Sequence, residues 1–382
     1  MPALRTAILA ISITTALALA GALMPDPPAR ATAVTLTASP TGTGTACTSS
    51  SPCALATALS AAGAGSTVLL LSGCYGSSTL IGPGGASTAP LVVRPATGAV
   101  VSFTSLISKV PSTTWTGGIV VTHSLYLYPQ ATGTIVDGLH MVGAGAFLRA
   151  SHTIVRNSTF TGGVDVDAVQ IKDGSDIRFE ANTVDGYTTT GGTVHVDCVQ
   201  VFDTADVVIV RNTLRNCSNT AIILSAGNGL GIHGITIQSN FIQGCMVPSA
   251  SCFGGSTIDL RELSASNVVV RNNTILDGPT RLIALPGGLS FDRNIVGYLA
   301  DCGAPMTDTL LLAWSTKDCL APLAMGSNGN VLGTVAFANR AAGDLHVLSR
   351  AQVTLVTTVP RVGTVRGFDN LALQSTTAGA DD

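Results

Sequence analysis

The chain has 382 residues, of which only 11 % are charged, and its net charge is −3. That balance excludes nucleic-acid binding through bulk positive charge, and it excludes attachment to a membrane surface by charge alone. Forty-two glycines, with many Ser, Thr and Asn, favour strands and turns over helices.

Arg5 opens the chain, an uncharged apolar run follows from about Thr6 to Met24, and Ala31-Thr32-Ala33 closes a Pro-rich stretch. A basic start, an apolar middle and a small-x-small exit make a secretory signal peptide over 1–33. An uncleaved anchor is the alternative, because the run nearly reaches the length of a bilayer span. Later segments lack a comparable run, so the mature protein is expected to be secreted, free of the membrane and monomeric.

Nine cysteines fit an oxidising compartment. Cys47/Cys53, Cys245/Cys252 and Cys302/Cys319 are each close enough in sequence to staple a local loop. Cys74 is expected as a buried small apolar residue. The spacing of Cys and His fits no zinc site. Ala54 to Leu59, following Ser51-Pro52, carries Leu at i and i+4 and predicts a short helix that caps the N-terminal end of the fold. Val68 to Leu71 is expected to begin the first strand.

From about residue 154 one phrase recurs: alternating apolar residues, a polar pair, an Asn, then another apolar residue. It runs Ile154-Val155-Arg156-Asn157-Ser158, then Phe179-Glu180-Ala181-Asn182, Ile209-Val210-Arg211-Asn212, Ile237-Gln238-Ser239-Asn240, Val270-Arg271-Asn272-Asn273 and Phe291-Asp292-Arg293-Asn294. The column Ser158, Asn182, Asn212, Asn240, Asn273, Asn294 advances by 24, 30, 28, 33 and 21 residues. Constant phrases at variable spacing mean constant strands and variable loops. A coil of this size cannot bury its apolar face alone, but stacked coils share one core. Stacking places equivalent residues about 4.8 Å apart. Asn at the bend tolerates left-handed backbone, and its amide can bond to the Asn above and below. The sequence therefore predicts an all-β, right-handed parallel β-helix, a single-stranded solenoid over 34–301, with 302–382 as a C-terminal segment packed over its open end.

A second strand keeps the same register. Val169-Gln170-Ile171 and Val199-Gln200-Val201 are offset by 30 residues, and Ile222-Ile223-Leu224 and Ile258-Asp259-Leu260 continue the series. Alternation turns Val169, Ile171, Val199 and Val201 inward and Gln170, Lys172, Gln200 and Phe202 outward.

This organisation resembles the pectate-lyase-like superfamily of β-helices over nearly the whole mature chain. Ala38-Ser39-Pro40-Thr41-Gly42 looks like the start of many secreted bacterial members, and Gly343-Asp344-Leu345-His346-Val347 resembles their closing segment. A local likeness to polygalacturonases also exists. Asp165-Val166-Asp167-Ala168-Val169-Gln170-Ile171 resembles their Asn-Thr-Asp-Gly-Ile-Asp-Ile. One coil on, His195-Val196-Asp197-Cys198-Val199-Gln200-Val201 resembles their Asp-Asp-Cys-Val-Ala-Val. By that resemblance Cys198 pairs with Cys217, and Asp167 and Asp197 fall on catalytic carboxylates. The pattern breaks elsewhere: Val196 replaces the first Asp of the pair, Gly-His-Gly has no counterpart near Thr220, and Arg-Ile-Lys reads Ile258-Asp259-Leu260-Arg261.

Three chemistries follow from these residues. Hydrolysis of an acidic, pectin-like glycan would use Asp167 and Asp197 as its carboxyl pair, with His195 and Asp165 beside them. Such pairs stand about 5–5.5 Å apart for retention and about 6.5–9.5 Å for inversion. The competing reading makes these aspartates turn residues that accept backbone N–H bonds. Elimination on a uronic-acid polymer would use Lys172 and Arg261, with Ca²⁺ held by Asp167, Asp197 and Asp259. Lys172 and Arg261 are about three coils apart, roughly 14 Å by strand spacing. Binding without catalysis would rest on Gln170, Gln200 and Phe202, with Trp115, Tyr126, Tyr128 and Tyr187 as stacking groups. In every case the expected partner is an extracellular polysaccharide, and the metal is left open.

Overall fold

Each phrase of the sequence builds one face of a three-faced tube. In the computed structural model, which describes residues 33–191, 194–247, 249, 251–252, 255–312, 328–355, 357 and 363–381, the coils from Ile135 to Cys302 each lay down three short strands, and in the two coils before them one strand runs over two faces. One coil is Ser175–Glu180, Thr183–Tyr187 and Asp197–Phe202, and the next is Thr204–Val210, Thr213–Cys217 and Thr220–Leu224. Each strand pairs in parallel with its counterpart in the following coil. The first face is an eleven-stranded parallel sheet that runs from Thr35–Ala38 to Gly287–Asp292. The signal-peptide expectation and Cys319 lie outside the described residues.

The core follows from alternation. On the first face Val155, Phe179, Ile209, Ile237, Val270 and Phe291 are in register and buried. On the second face Phe160, Val184, Leu214, Ile242, Ile275 and Val296 do the same. Each buried aliphatic or aromatic side chain contributes about 1.5–3 kcal/mol. Because all the faces point into one cluster, the tube has a single core.

The polar column is a continuous hydrogen-bonded ladder. The backbone N–H groups of Ser158, Asn182, Asn212, Asn240 and Asn273 each donate to Oδ1 of the Asn in the next coil, at 2.8–3.0 Å. Each Asn amide also donates back to a carbonyl one coil earlier, as Asn212 does to Phe179 and Asn240 to Ile209. The amides thus satisfy main-chain groups that the bend would otherwise strand in the core. The column runs further than the phrase, with Asn330 Oδ1 accepting from Thr309 N–H. One detail differs from expectation. The left-handed residue is the one before the ladder Asn: Asn157, Ala181, Arg211, Ser239, Asn272, Arg293 and Asp308 all have φ between 48° and 57°. The ladder Asn must aim its amide inward along the column, so the sharp turn falls on the residue before it, whether that residue is exposed, as Ala181 is, or buried, as Asn272 is.

At the N-terminal end, Thr35–Ala38 pairs with Thr67–Leu70, so the first strand precedes the one expected at Val68. A loop closed by Cys47–Cys53 and the helix Leu55–Ala61 separate the two strands and hide their relation in sequence. The helix buries Leu55, Ala58 and Leu59 against the core, as its spacing implied. Cys74 is exposed, because it sits in the two-residue strand Gly73–Cys74, both of whose side positions face solvent.

The described residues from Val335 onward form a tail. It lies along the outside of the second face: Phe368 stacks on Phe241 at 3.9 Å, Ala380 N–H donates to Thr274 Oγ1, and Arg340 pairs with Asp277. Phe241 is an outward position of its strand, and the tail is what buries it. Leu310–Leu311 and Val331–Leu332 continue the second face toward the end of the tube.

Candidate functional site

The third face carries two outward columns, one residue per coil. One reads Ile107, Tyr126, Phe147, Gln170, Gln200, Ile223, Asp259 and Arg281. The neighbouring column contains Arg149, Lys172 and Phe202 in consecutive coils, preceded by Lys109 and Tyr128. Lys172 and Arg149 are therefore one strand separation apart, about 4.8 Å along the axis. Arg261, the cation expected to act with Lys172, is three coils away, and the cation beside Lys172 is Arg149. Its signal was the recurring tripeptide Tyr126-Leu127-Tyr128, Phe147-Leu148-Arg149, Gln170-Ile171-Lys172, Gln200-Val201-Phe202.

Aromatic rings and cations interleave here. The Arg149 guanidinium lies 5.9, 5.8 and 5.7 Å from the rings of Tyr126, Phe147 and Phe202. Lys109 stands 4.6 Å from the Tyr128 ring and Lys172 5.0 Å from Phe202. Desolvation lowers the Arg149 pKa from its ordinary value. Among the described residues, none of these three cations makes a salt bridge to a carboxylate. Tyr126, Tyr128, Phe147, Lys172 and Phe202 are half-buried, so rings and charge both reach solvent.

Asp167 and Asp197 enter the same face at its leading bend, one coil apart, and both are buried at 8 % and 1 % exposure. Ala168 and Val169 are both buried, so the bend breaks strict alternation there. Asp197 N–H donates to Asp167 Oδ1 at 2.7 Å, and Gln170 Nε2 donates to Asp167 Oδ2 at 2.8 Å. Asn219 Nδ2 donates to Asp197 Oδ1 at 2.8 Å, while Asp197 Oδ2 has no hydrogen-bond partner. Burial, and then the neighbouring Asp167 charge, push the Asp197 carboxyl up to about 7. Burial also raises Asp167. Cys198–Cys217 is a disulfide immediately beside the pair, and Cys245–Cys252 closes a loop on the second face.

The other candidates scatter. His195 and Asp165 are exposed. Asp165 accepts from Thr189 and Thr190 in a turn, and the Thr190 hydroxyl holds its pKa below the ordinary value. Gln200 donates to Ser225. Asp259 is buried, and Arg261 Nε stands 2.7 Å from its Oδ1. Burial raises the Asp259 pKa, opposed by the Arg261 charge.

A Ca²⁺ ion needs several oxygen ligands directed at one point. Asp167, Asp197 and Asp259 do not provide it: Asp167 is taken up by Gln170 and the Asp197 N–H, and Asp259 faces Arg261. Among the described residues, the group whose ligand atoms converge is His346, Asp369 and Asp381, on the tail. There Asp344 and Asp369 both contact the His346 ring, which accounts for the cluster as an ion-pair network.

Residues 137–297 match the protein family described as "Right handed beta helix region". With the coil register above, this gives the fold as a right-handed parallel β-helix. No curated protein matches it in sequence. Among solved structures it is similar to the pectate lyase Pel9A, at 13 % identity and a TM-score of 0.46, over 90 % of this chain and 88 % of that one. It is also similar to the PL6 family alginate lyase AlyGC, at 10 % identity and a TM-score of 0.42, over 90 % of this chain but only 57 % of that one. A third is the PL6 family polysaccharide lyase Pedsa3628 from Pseudopedobacter saltans, at 11 % identity and a TM-score of 0.31, over 85 % of this chain and 96 % of that one.

Proposed function

We propose that the protein binds an acidic, uronate-containing polysaccharide along the third face and cleaves it by β-elimination. The observation that carries this reading is the column Lys109, Tyr128, Arg149, Lys172, Phe202, in which cations with no carboxylate salt bridge among the described residues are interspersed with rings. Sugar rings stack on aromatic faces, and cations meet the carboxylates. Elimination removes the proton on the carbon beside the carboxylate. The electron pair forms a C=C bond, the glycosidic C–O bond breaks, and the leaving oxygen takes a proton. Charge that builds on the carboxylate is stabilised by fixed positive groups in a poorly solvated setting. Arg149 supplies such a group as a fixed cation, and Lys172, one coil away, in its neutral amine form would take the proton from that carbon and pass one to the leaving oxygen. Three disulfides support an extracellular site of action.

Hydrolysis through Asp167 and Asp197 is the second reading. Its support is Asp197, whose carboxyl is held protonated up to about 7, as a general acid requires. Its weakness is burial, since a polymer must touch both groups.

The test is a screen of the purified protein on pectic, alginate and glycosaminoglycan polymers, reading reducing ends and ultraviolet absorbance together, with and without EDTA. Absorbance that disappears in Lys172→Met is the expected result. Reducing ends without absorbance, abolished in Asp197→Asn, would replace elimination by hydrolysis. Binding with neither product would leave a carbohydrate-binding protein.

A further inference from the structure

Gln170 differs from the Gln at the equivalent position one coil later. Gln200 donates one bond to Ser225. Gln170 joins two charged groups: its Oε1 accepts from Arg149 Nη2 at 2.9 Å, and its Nε2 donates to Asp167 Oδ2 at 2.8 Å. Its main-chain carbonyl accepts a second bond from Arg149 Nη1 at 3.0 Å. The amide has one workable orientation, because a guanidinium only donates and an ionised carboxylate only accepts. Asp167 is itself fixed by the Asp197 N–H. A rigid chain therefore runs from the main chain of one coil, through a buried carboxylate and an amide, to a cation two coils earlier.

That cation is a hub. Arg149 is 9 % exposed and touches rings from three coils, Tyr126, Phe147 and Phe202. Where the guanidinium stands decides how those rings are presented. Lys172 flanks it in the next coil, and the Asp173 charge favours its cationic form.

We infer that Gln170 is a positioning residue, bridging Asp167 to Arg149 and thereby fixing the aromatic platform of the third face. Its geometry stands independently of the reaction, and its consequence for ligand affinity rests on the sugar-binding reading above.

The experiment uses the full folded chain labelled with ¹⁵N. The Arg149 side-chain N–H resonances, identified by their loss in Arg149→Lys, are expected to be separate and slowly exchanging. In Gln170→Met they should collapse, while Gln200→Met leaves them unchanged. Asp167→Asn, which keeps the side-chain shape but loses the charge, should weaken them in the same direction and serves if Gln170→Met fails to fold. Affinity for an oligogalacturonide should fall about tenfold in Gln170→Met. Unchanged Arg149 resonances in a folded Gln170→Met protein would overturn the positioning role. Collapsed resonances with unchanged affinity would overturn its link to binding. Unchanged affinity in both Arg149→Lys and Lys172→Met would remove the sugar-binding reading, and the resonances would still decide the role of Gln170.

Discussion

The main-chain N–H of Asp197 donates to Asp167 Oδ1 over 2.7 Å, tying the carboxylate of one coil to the backbone of the next. The bond stabilises the ionised form of Asp167, while the second carboxyl of the pair sits nearby with one oxygen unpartnered. One proton on the pair, carried by Asp197, relieves the repulsion.

Stability should therefore depend on pH through this pair. The Asp197 pKa is raised on folding from 3.8 to about 7. An acid with a raised pKa binds its proton more tightly when folded, so stability falls as pH rises across that window and levels above it. Denaturant unfolding at closely spaced pH values should show Asp197→Asn losing roughly 2–4 kcal/mol of this slope relative to the parent. Parallel curves for the two proteins would remove the buried acid as its cause.

Removing a rung of the ladder should be costly. Asn240→Ala deprives the Asn212 N–H of its acceptor and the Ile209 carbonyl of its donor, both inside the tube. A loss of about 2–4 kcal/mol in unfolding free energy is expected, against much less for Ser158→Ala, which has a hydroxyl rung. Equal losses at both sites would show that the amide bonds are not what matters.

Ala181 is exposed and has φ 53°. A Cβ in left-handed backbone costs about 1–2 kcal/mol, and glycine avoids it at an entropic cost of about 0.5–1 kcal/mol. Ala181→Gly should raise the denaturant midpoint, with a net gain of about 0.5 kcal/mol. A lowered midpoint would mean that the turn is unstrained.

Lys109→Met and Lys172→Met should each reduce retention on an acidic polymer in affinity electrophoresis, with thermal unfolding nearly unchanged. Retention of the parent should weaken as salt rises from about 50 to about 500 mM, because exposed charges are screened. Arg149→Lys should also weaken retention, since a lysine cannot make the two bonds to Gln170. Retention insensitive to salt would point to ring stacking alone.

The coils were legible because Asn182, Asn212, Asn240, Asn273 and Asn294 repeat one bonding job, and each strand after them alternates. Arg149 and Phe147 were not, because their coil has Leu139 where later coils have Asn, and Gly145-Ala146-Phe147-Leu148 lacks the β-branched phrase. The placement of 335–381 was hidden for another reason: Phe368 meets Phe241 through tertiary packing, with no periodicity to announce it. Alternation alone puts Asp167 on the inward side with Val169, and both are buried, as are Ala168 between them and Asp197 one coil on.

The tail laid on the second face has a geometric consequence. It covers the second face over the later coils, while among the described residues the rings of the third face, with Lys109 and Lys172, stay half-buried and open to solvent. A polymer approaching from solution meets a molecule with a front and a back, although its coils are built alike.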